Sequence, residues 1–296
     1  MIDPLVLSQA GAGDPLVFLH ANGYPPQAYR SFLKPFLDNY QVEALYLRPF
    51  WPGSDPDQLL DWRGFRDDYL AYLNSRMDDS HSGESFPAAR QIIGIGHSVG
   101  AMTTLMAAIE QPELFKVLVL IEPVLFTRTR GAVLRLIAPF NILRRIYPLI
   151  KGTLKRKRLF SDRESMFNNY RVKKIFHGLS DQVLRDYVDG LAVDLPDGGV
   201  GLRYSPEWEA RIYETGGLAD RYVWKNLSRI SCPVLVIRGA DTGTLQPVTL
   251  KNMANKMPRG KDLTVNGAGH LAPLEKPGKT ADLILEYLQA NLHYLP

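Results

Sequence analysis

Four short apolar runs punctuate the first 126 residues: PLVFLH (15–20), QVEALYL (41–47), QIIGIG (91–96) and KVLVLIE (116–122). Each is rich in Val, Ile and Leu and almost continuously apolar, the pattern of a strand covered on both faces inside a parallel sheet. Helical periodicity fills the gaps, over 27–37, 57–74 and 98–110. In the last of these, Met102, Leu105, Met106 and Ile109 share one face at 3.6-residue spacing, and Pro112 stops the helix. The alternation resumes near the C-terminus, with strands expected at PVLVIRG (233–239) and DLTV (262–265) and helices at 248–257 and 280–290. Strands alternating with helices predict an α/β fold around a mostly parallel sheet.

Residues 127–228 break that rhythm. They show no clear strand, but helical patterns at 131–151, 162–179, 181–191 and 207–215, punctuated by Pro139, Pro148, Gly152 and LPDGGVG (195–201). Ligand sites form beyond the carboxyl ends of parallel strands, so an insertion there would roof a site. The expected organisation is a core made of 1–126 and 229–296, with 127–228 as a helical cap.

Composition narrows the class. At 296 residues, 45% hydrophobic and 22% charged, the chain can bury the core of one large domain. Lysine and arginine outnumber the acids by 35 to 31, a net charge of +4 that is too small an excess to suggest nucleic-acid binding. The single Cys232 permits no internal disulfide, as in a reducing compartment. The first twenty residues lack a basic segment followed by a long apolar one. No apolar run approaches the roughly 18 residues of a membrane span. The expectation is a soluble cytoplasmic protein.

The third apolar run ends in Gly96-His97-Ser98-Val99-Gly100, a G-x-S-x-G pattern. A serine capping the following helix is one reading. A buried strand before it and an amphipathic helix after it favour the other, a nucleophile on a sharp strand-to-helix turn. Such a serine needs a general base. Of six histidines, His270 lies in TVNGAGHLAP, just after the last expected strand and between flanking glycines, at the end of the sheet where Ser98 would sit. His20 ends a strand before ANGY, His97 lies within the turn, His177 is in the insertion, and His81 and His293 are in polar or terminal segments.

FLHANG (18–23), GHSVG (96–100), LIEP (120–123), the helical insertion and GAGH (267–270) together resemble the α/β-hydrolase superfamily over nearly the whole chain. The resemblance implies an α/β-hydrolase fold: a central sheet of about eight strands flanked by helices, with an inserted cap. It also implies an oxyanion hole made by the backbone N–H of Val99 and a second donor from the loop after the first central strand. Matching HANG to the usual His-Gly pattern puts Asn22 at that donor position, with Ala21 as the alternative. The order nucleophile, acid, histidine agrees with the family.

Two acids compete for the third place. Asp241 lies in IRGADTGTLQP, two residues past Gly239, where family members usually place the acid three or four past that glycine. Glu122 ends the strand after the nucleophile helix, where a carboxylate is costly without a partner. The HANGYPPQAY opening and the 167–188 segment resemble a branch whose acid sits after this earlier strand. Glu122 is therefore preferred, with Asp241 as a turn residue.

Serine at the turn points to attack on an acyl carbon. No metal-ligand spacing or nucleotide-binding glycine pattern is present, and no cofactor is expected. The expected activity is hydrolysis of a small to medium apolar carboxylic ester through an acyl-enzyme. Lactone opening, C–C bond hydrolysis and a small-molecule sensor are the alternatives. His20, Phe126, Phe140, Trp208 and Tyr213 are candidate pocket residues, though core packing explains the aromatics equally well. The basic and apolar stretch 135–158 reads as a cap with its charged face solvated, in preference to a membrane-surface lid. The expected partner is a small ester-like molecule, with the chain a monomer or homodimer.

Overall fold

A computed structural model of the chain describes residues 4–6, 13–77, 91–138 and 142–292. Its main sheet has seven strands: β1 (Pro4–Val6), β2 (Asp14–Leu19), β3 (Tyr40–Leu45), β4 (Ile92–His97), β5 (Phe115–Ile121), β9 (Val234–Gly239) and β10 (Gly260–Val265), in the order β1-β3-β2-β4-β5-β9-β10. All neighbours pair in parallel except β1, which runs antiparallel to β3. The count among the described residues is thus seven, against about eight expected.

Burial explains why the apolar runs became strands. Every residue of β4 and β9 is buried, as are all but one of β5, because helices cover both faces. The edge strand β10 is largely exposed along its length, and its sequence GKDLTV is correspondingly mixed. The helix expected over 27–37 is a 3-10 turn, a single α turn and a second 3-10 turn, since Pro35 denies the run a backbone donor. The helix after the G-x-S-x-G turn runs Val99–Glu110, close to expectation.

The segment between β5 and β9 departs more. Within it β6 (Leu159–Phe160), β7 (Ala192–Asp194) and β8 (Val200–Leu202) form a small antiparallel sheet, where no strand was expected. These strands are two or three residues long, too short to leave a period-2 signature. The expected 131–151 helix is divided into Arg128–Ile137, Ile142–Ile146 and Pro148–Leu154, Pro148 opening the last of these. No helix among the described residues is long and apolar enough to cross a membrane.

The Asp220–Asn226 helix, not anticipated from the sequence, clamps the crossover where β5 leaves the sheet. The Phe126 N–H donates to Asp220 Oδ2 at 2.8 Å, and the Trp224 indole N–H donates to the Phe126 carbonyl at 2.7 Å. Burial pushes the Asp220 carboxyl up to about 7, against an ordinary value of 3.8. The folded chain therefore holds a proton between those values that the unfolded chain has lost, and this group's contribution to stability declines as pH rises from 4 to 7. Asp220→Asn keeps the acceptor and removes the charge. Its melting temperature relative to wild type should climb between pH 5 and pH 8, by the equivalent of about 2–3 kcal/mol at most. A pH-independent difference in thermal melts would contradict this.

Candidate active site

The chain passes from β2 to β3 on one side and then crosses β2 to reach β4 on the other, which opens a crevice at their carboxyl ends. The Ala21–Asn22 loop follows β2, Ser98 follows β4 and Glu122 follows β5, while His270 lies in the loop after β10. Residues 98 and 270, far apart in sequence, meet here.

Ser98 has φ +56° and ψ −115°. Such a conformation costs a non-glycine residue roughly 1–3 kcal/mol. The flanking glycines make it feasible. A Cβ on Gly96 would lie 2.5 Å from the Gly100 carbonyl, and one on Gly100 would lie 2.3 Å from the Leu19 carbonyl oxygen. The turn is thus pressed against the end of β2. Ser98 makes no side-chain cap to the helix it precedes. Its Oγ lies 3.0 Å from His270 Nε2 instead.

His270 Nδ1 lies 3.0 Å from Glu122 Oε2, and the Glu122 side chain is fully buried. Two further donors reach that carboxylate: the Gly239 N–H to Oε1 at 2.7 Å, and the Thr242 hydroxyl to Oε2 at 2.8 Å. With Nδ1–H donated to the carboxylate, Nε2 is left as the acceptor facing Ser98. Ser98 and Glu122 (φ +50°) are the two non-glycine residues with positive φ among the described residues, and both belong to this line. Asp241 is exposed, and its N–H bonds the Ala268 carbonyl at 2.9 Å in a turn. No hydrogen bond joins it to His270. Thr242, three residues past Gly239, occupies a usual acid position and instead supports the glutamate.

The loop after β2 is held from several directions. The Ala21 N–H donates to the Tyr29 hydroxyl at 3.1 Å. Both ends of the Asn22 side-chain amide are engaged, Nδ2 to the Glu209 carbonyl at 3.2 Å and Oδ1 accepting from the Tyr204 hydroxyl at 2.5 Å. Val99 opens its helix, where backbone N–H groups lack intrahelical acceptors.

Tyr29 and His97 were not anticipated as parts of the site. His97 is wholly buried, and burial holds its pKa well below the usual range, so the ring is neutral. Its Nε2 is 2.8 Å from the His270 carbonyl, which can only accept, so Nε2 carries the proton. Nδ1 is then an acceptor for the Tyr29 hydroxyl at 2.7 Å. The result is one directed chain, from Ala21 N–H to Tyr29 O–H to His97 Nδ1, and from His97 Nε2–H to the His270 carbonyl. Nothing in the local pattern marks Tyr29, which reads as an ordinary buried position of a helical stretch.

A cavity of about 1140 Å³ opens over Ser98 and His270. Trp62, Val124, Phe126, Leu134, Ile212 and Tyr213 supply apolar wall. Phe126 and Tyr213 were expected there, whereas two other candidates are corrected. His20 lies off the wall: its Nδ1–H donates to the Ala21 carbonyl at 2.8 Å, its Nε2 accepts from the Leu47 N–H at 3.1 Å, and burial lowers its pKa to about 4. Trp208 is also off the wall, buried with its indole N–H donating to the Ser54 hydroxyl at 3.0 Å. Both are core residues whose polar atoms are already satisfied. Phe140 lies outside the described residues.

Comparison with known proteins agrees with this architecture. A strigolactone esterase of Pisum sativum is 32% identical over 124 residues, a match spanning 41% of this chain and 43% of that enzyme. The (E)-2-((N-methylformamido)methylene)succinate hydrolase of Acinetobacter baylyi is 21% identical over 283 residues, covering 96% of this chain and 93% of that protein. Among solved structures, the peroxisomal alpha-beta-hydrolase Lpx1 of Saccharomyces cerevisiae superposes with a TM-score of 0.74 at 18% identity, over 97% of this chain and 80% of that one. The family model described as the alpha/beta hydrolase family matches residues 16–283, and the chain belongs to that family as a hydrolase of α/β-hydrolase type.

Proposed function

We propose that this hydrolase cleaves a carboxylic ester through an acyl-enzyme, with Ser98 as nucleophile, His270 as general base and Glu122 as the supporting acid. The observation that carries this reading is the position of His270, 3.0 Å from Ser98 Oγ on one ring nitrogen and 3.0 Å from Glu122 on the other. Ser98 Oγ attacks the acyl carbon while its proton passes to His270 Nε2. Glu122 fixes the tautomer and stabilises the imidazolium. The tetrahedral oxyanion takes hydrogen bonds from the Val99 and Asn22 N–H groups, each worth about 2.7–4 kcal/mol in related sites. Ala21 is less suited to this role because its N–H is already committed to Tyr29. His270 then returns the proton to the leaving alkoxide, and a water activated by the same ring releases the acid.

Residues 127–228 serve in this reading as a cap, since they supply Leu134, Ile212 and Tyr213 to the cavity wall above Ser98. The apolar wall suits an apolar acyl or alcohol group. The names of the Pisum esterase and the Acinetobacter hydrolase describe hydrolytic enzymes, which supports turnover over a sensing role.

Ser98→Ala should abolish both ester hydrolysis and labelling by a fluorophosphonate, and labelling that persists would remove Ser98 from the role. Glu122→Gln should lower kcat by about 10³–10⁴-fold, by analogy with loss of a triad acid, while Asp241→Asn should change it little. Steady-state kinetics showing the reverse would assign the acid to Asp241. Tyr29→Phe leaves the Ala21 N–H and His97 Nδ1 without their buried partner, at a cost of about 1–3 kcal/mol for each unsatisfied group. Denaturant unfolding should show that loss together with a fall in kcat, and unchanged stability would argue against the directed chain.

A further inference from the structure

The cavity wall is electrically lopsided. Arg130, Lys155, Arg156, Lys157, Lys173 and Lys174 line it, against the carboxylates of Glu209 and Glu275 alone. Glu275 is already engaged on its own loop, accepting from the Gly269 N–H at 2.6 Å. Four of the cations (Arg130, Lys155, Lys157 and Lys174) are exposed at the rim, where water solvates them, and they decide nothing.

Arg156 and Lys173 differ from these four. The Arg156 side chain is 14% exposed and pairs with Glu209 at 2.6 Å. Glu209 is also held by the Thr153 hydroxyl at 3.1 Å. The Lys173 ammonium lies 4.6 Å from the centroid of the buried Tyr170 ring, and the Arg156 guanidinium lies 5.8 Å from the same centroid. Two partly buried cations therefore lie near one aromatic ring, and Glu209, the carboxylate beside them, is paired with Arg156, leaving a surplus of one positive charge. Burial and the neighbouring Arg156 both push the Lys173 ammonium below its usual range. Packing alone gives no reason for a lysine there, since the ring could be covered by an apolar side chain without desolvating an ammonium.

We infer that the ester substrate is amphipathic, with an apolar body against the Phe126–Tyr213 side of the cavity and a monoanionic carboxylate that docks on Lys173 and Arg156. One surplus charge matches one carboxylate, and the planar guanidinium offers further donors to it. This inference rests on the serine-hydrolase reading above and adds its specificity.

The test uses the full-length chain and esters that differ only in the group at the far end of an eight-carbon chain. One set consists of p-nitrophenyl esters of suberic acid, of its monoamide and of 8-aminooctanoic acid. The second set places the same carboxylate, carboxamide and ammonium on the alcohol of a butyrate ester and is followed by acid release. In at least one set, kcat/KM should favour the carboxylate over the isosteric carboxamide by about 10–100-fold, mostly through KM, as expected of hydrogen bonds to charged groups. The ammonium ester should be the poorest. In Lys173→Gln the carboxylate-to-carboxamide ratio should collapse toward one, and Lys173→Arg should restore most of it. Equal rates for carboxylate and carboxamide in both sets, or a ratio that Lys173→Gln leaves intact, would overturn the inference. Failure of the underlying reading looks different: no ester of any charge is turned over, or turnover survives Ser98→Ala.

Discussion

A neutral, wholly buried imidazole has one donor and one acceptor, and both of His97's are used to join loops that the chain itself keeps apart. Through Tyr29 the ring reaches the Ala21 N–H after β2, and through the His270 carbonyl it reaches the loop after β10. Its own backbone ends β4 and immediately precedes Ser98. The loop after β2, the turn that carries Ser98 and the loop that carries His270 are therefore indexed to one ring. Burial makes this arrangement robust, because a ring whose pKa lies well below neutrality does not change its donor pattern near pH 7. Each bond in the chain has a required direction, so removing a single hydroxyl would disturb both ends.

The same region also concentrates backbone strain. Ser98 and Glu122 both adopt positive φ, and the glycines at 96 and 100 bring the turn within contact of the β2 backbone. Strain of this kind persists only where surrounding bonds over-determine the geometry. Around Glu122 those bonds are the Gly239 N–H, the Thr242 hydroxyl and its own N–H to the Ile237 carbonyl at 2.7 Å. Around Ser98 they include its N–H to the Ile121 carbonyl at 2.9 Å. Rigid parallel strands supply these partners in a fixed register, and side chains projecting from their ends inherit that precision.

The cavity above the site answers to a different constraint. Its walls come largely from the segment between β5 and β9, whose helices and turns bring both apolar side chains and cations to the lining. An apolar lining favours a greasy ligand, and desolvated cations favour an anion. A ligand that satisfies both has to be amphipathic.

Much of this was legible along the chain. Five strands of the main sheet were visible because burial on both faces demands nearly continuous apolar runs, the edge strand β10 was visible from its short DLTV run, and Ser98, Glu122 and His270 stood out because they lie where the expected strands end. Glu122 was favoured over Asp241 by the cost of leaving a carboxylate at the end of a buried strand and by the resemblance of the HANGYPPQAY opening and the 167–188 segment to a branch whose acid sits after this strand. The small sheet in the insertion, the Asp220–Asn226 helix and the antiparallel β1 were not legible, because strands of two or three residues and a helix of two turns carry too little periodicity. His20 and Trp208 misled for a related reason: sequence marks a polar or aromatic side chain near a strand end or in the insertion, but not whether it turns toward the cavity or into the core. The sequence by itself determined the fold class, the order of the strands and the tight turn at Ser98, since these follow from local periodicity and from glycines at 96 and 100 where a Cβ would strike backbone. Only the tertiary structure decided that Tyr29 and His97 tie the loops together and that Lys173 and Arg156 share one ring, because those relations depend on distances between residues that no local pattern connects.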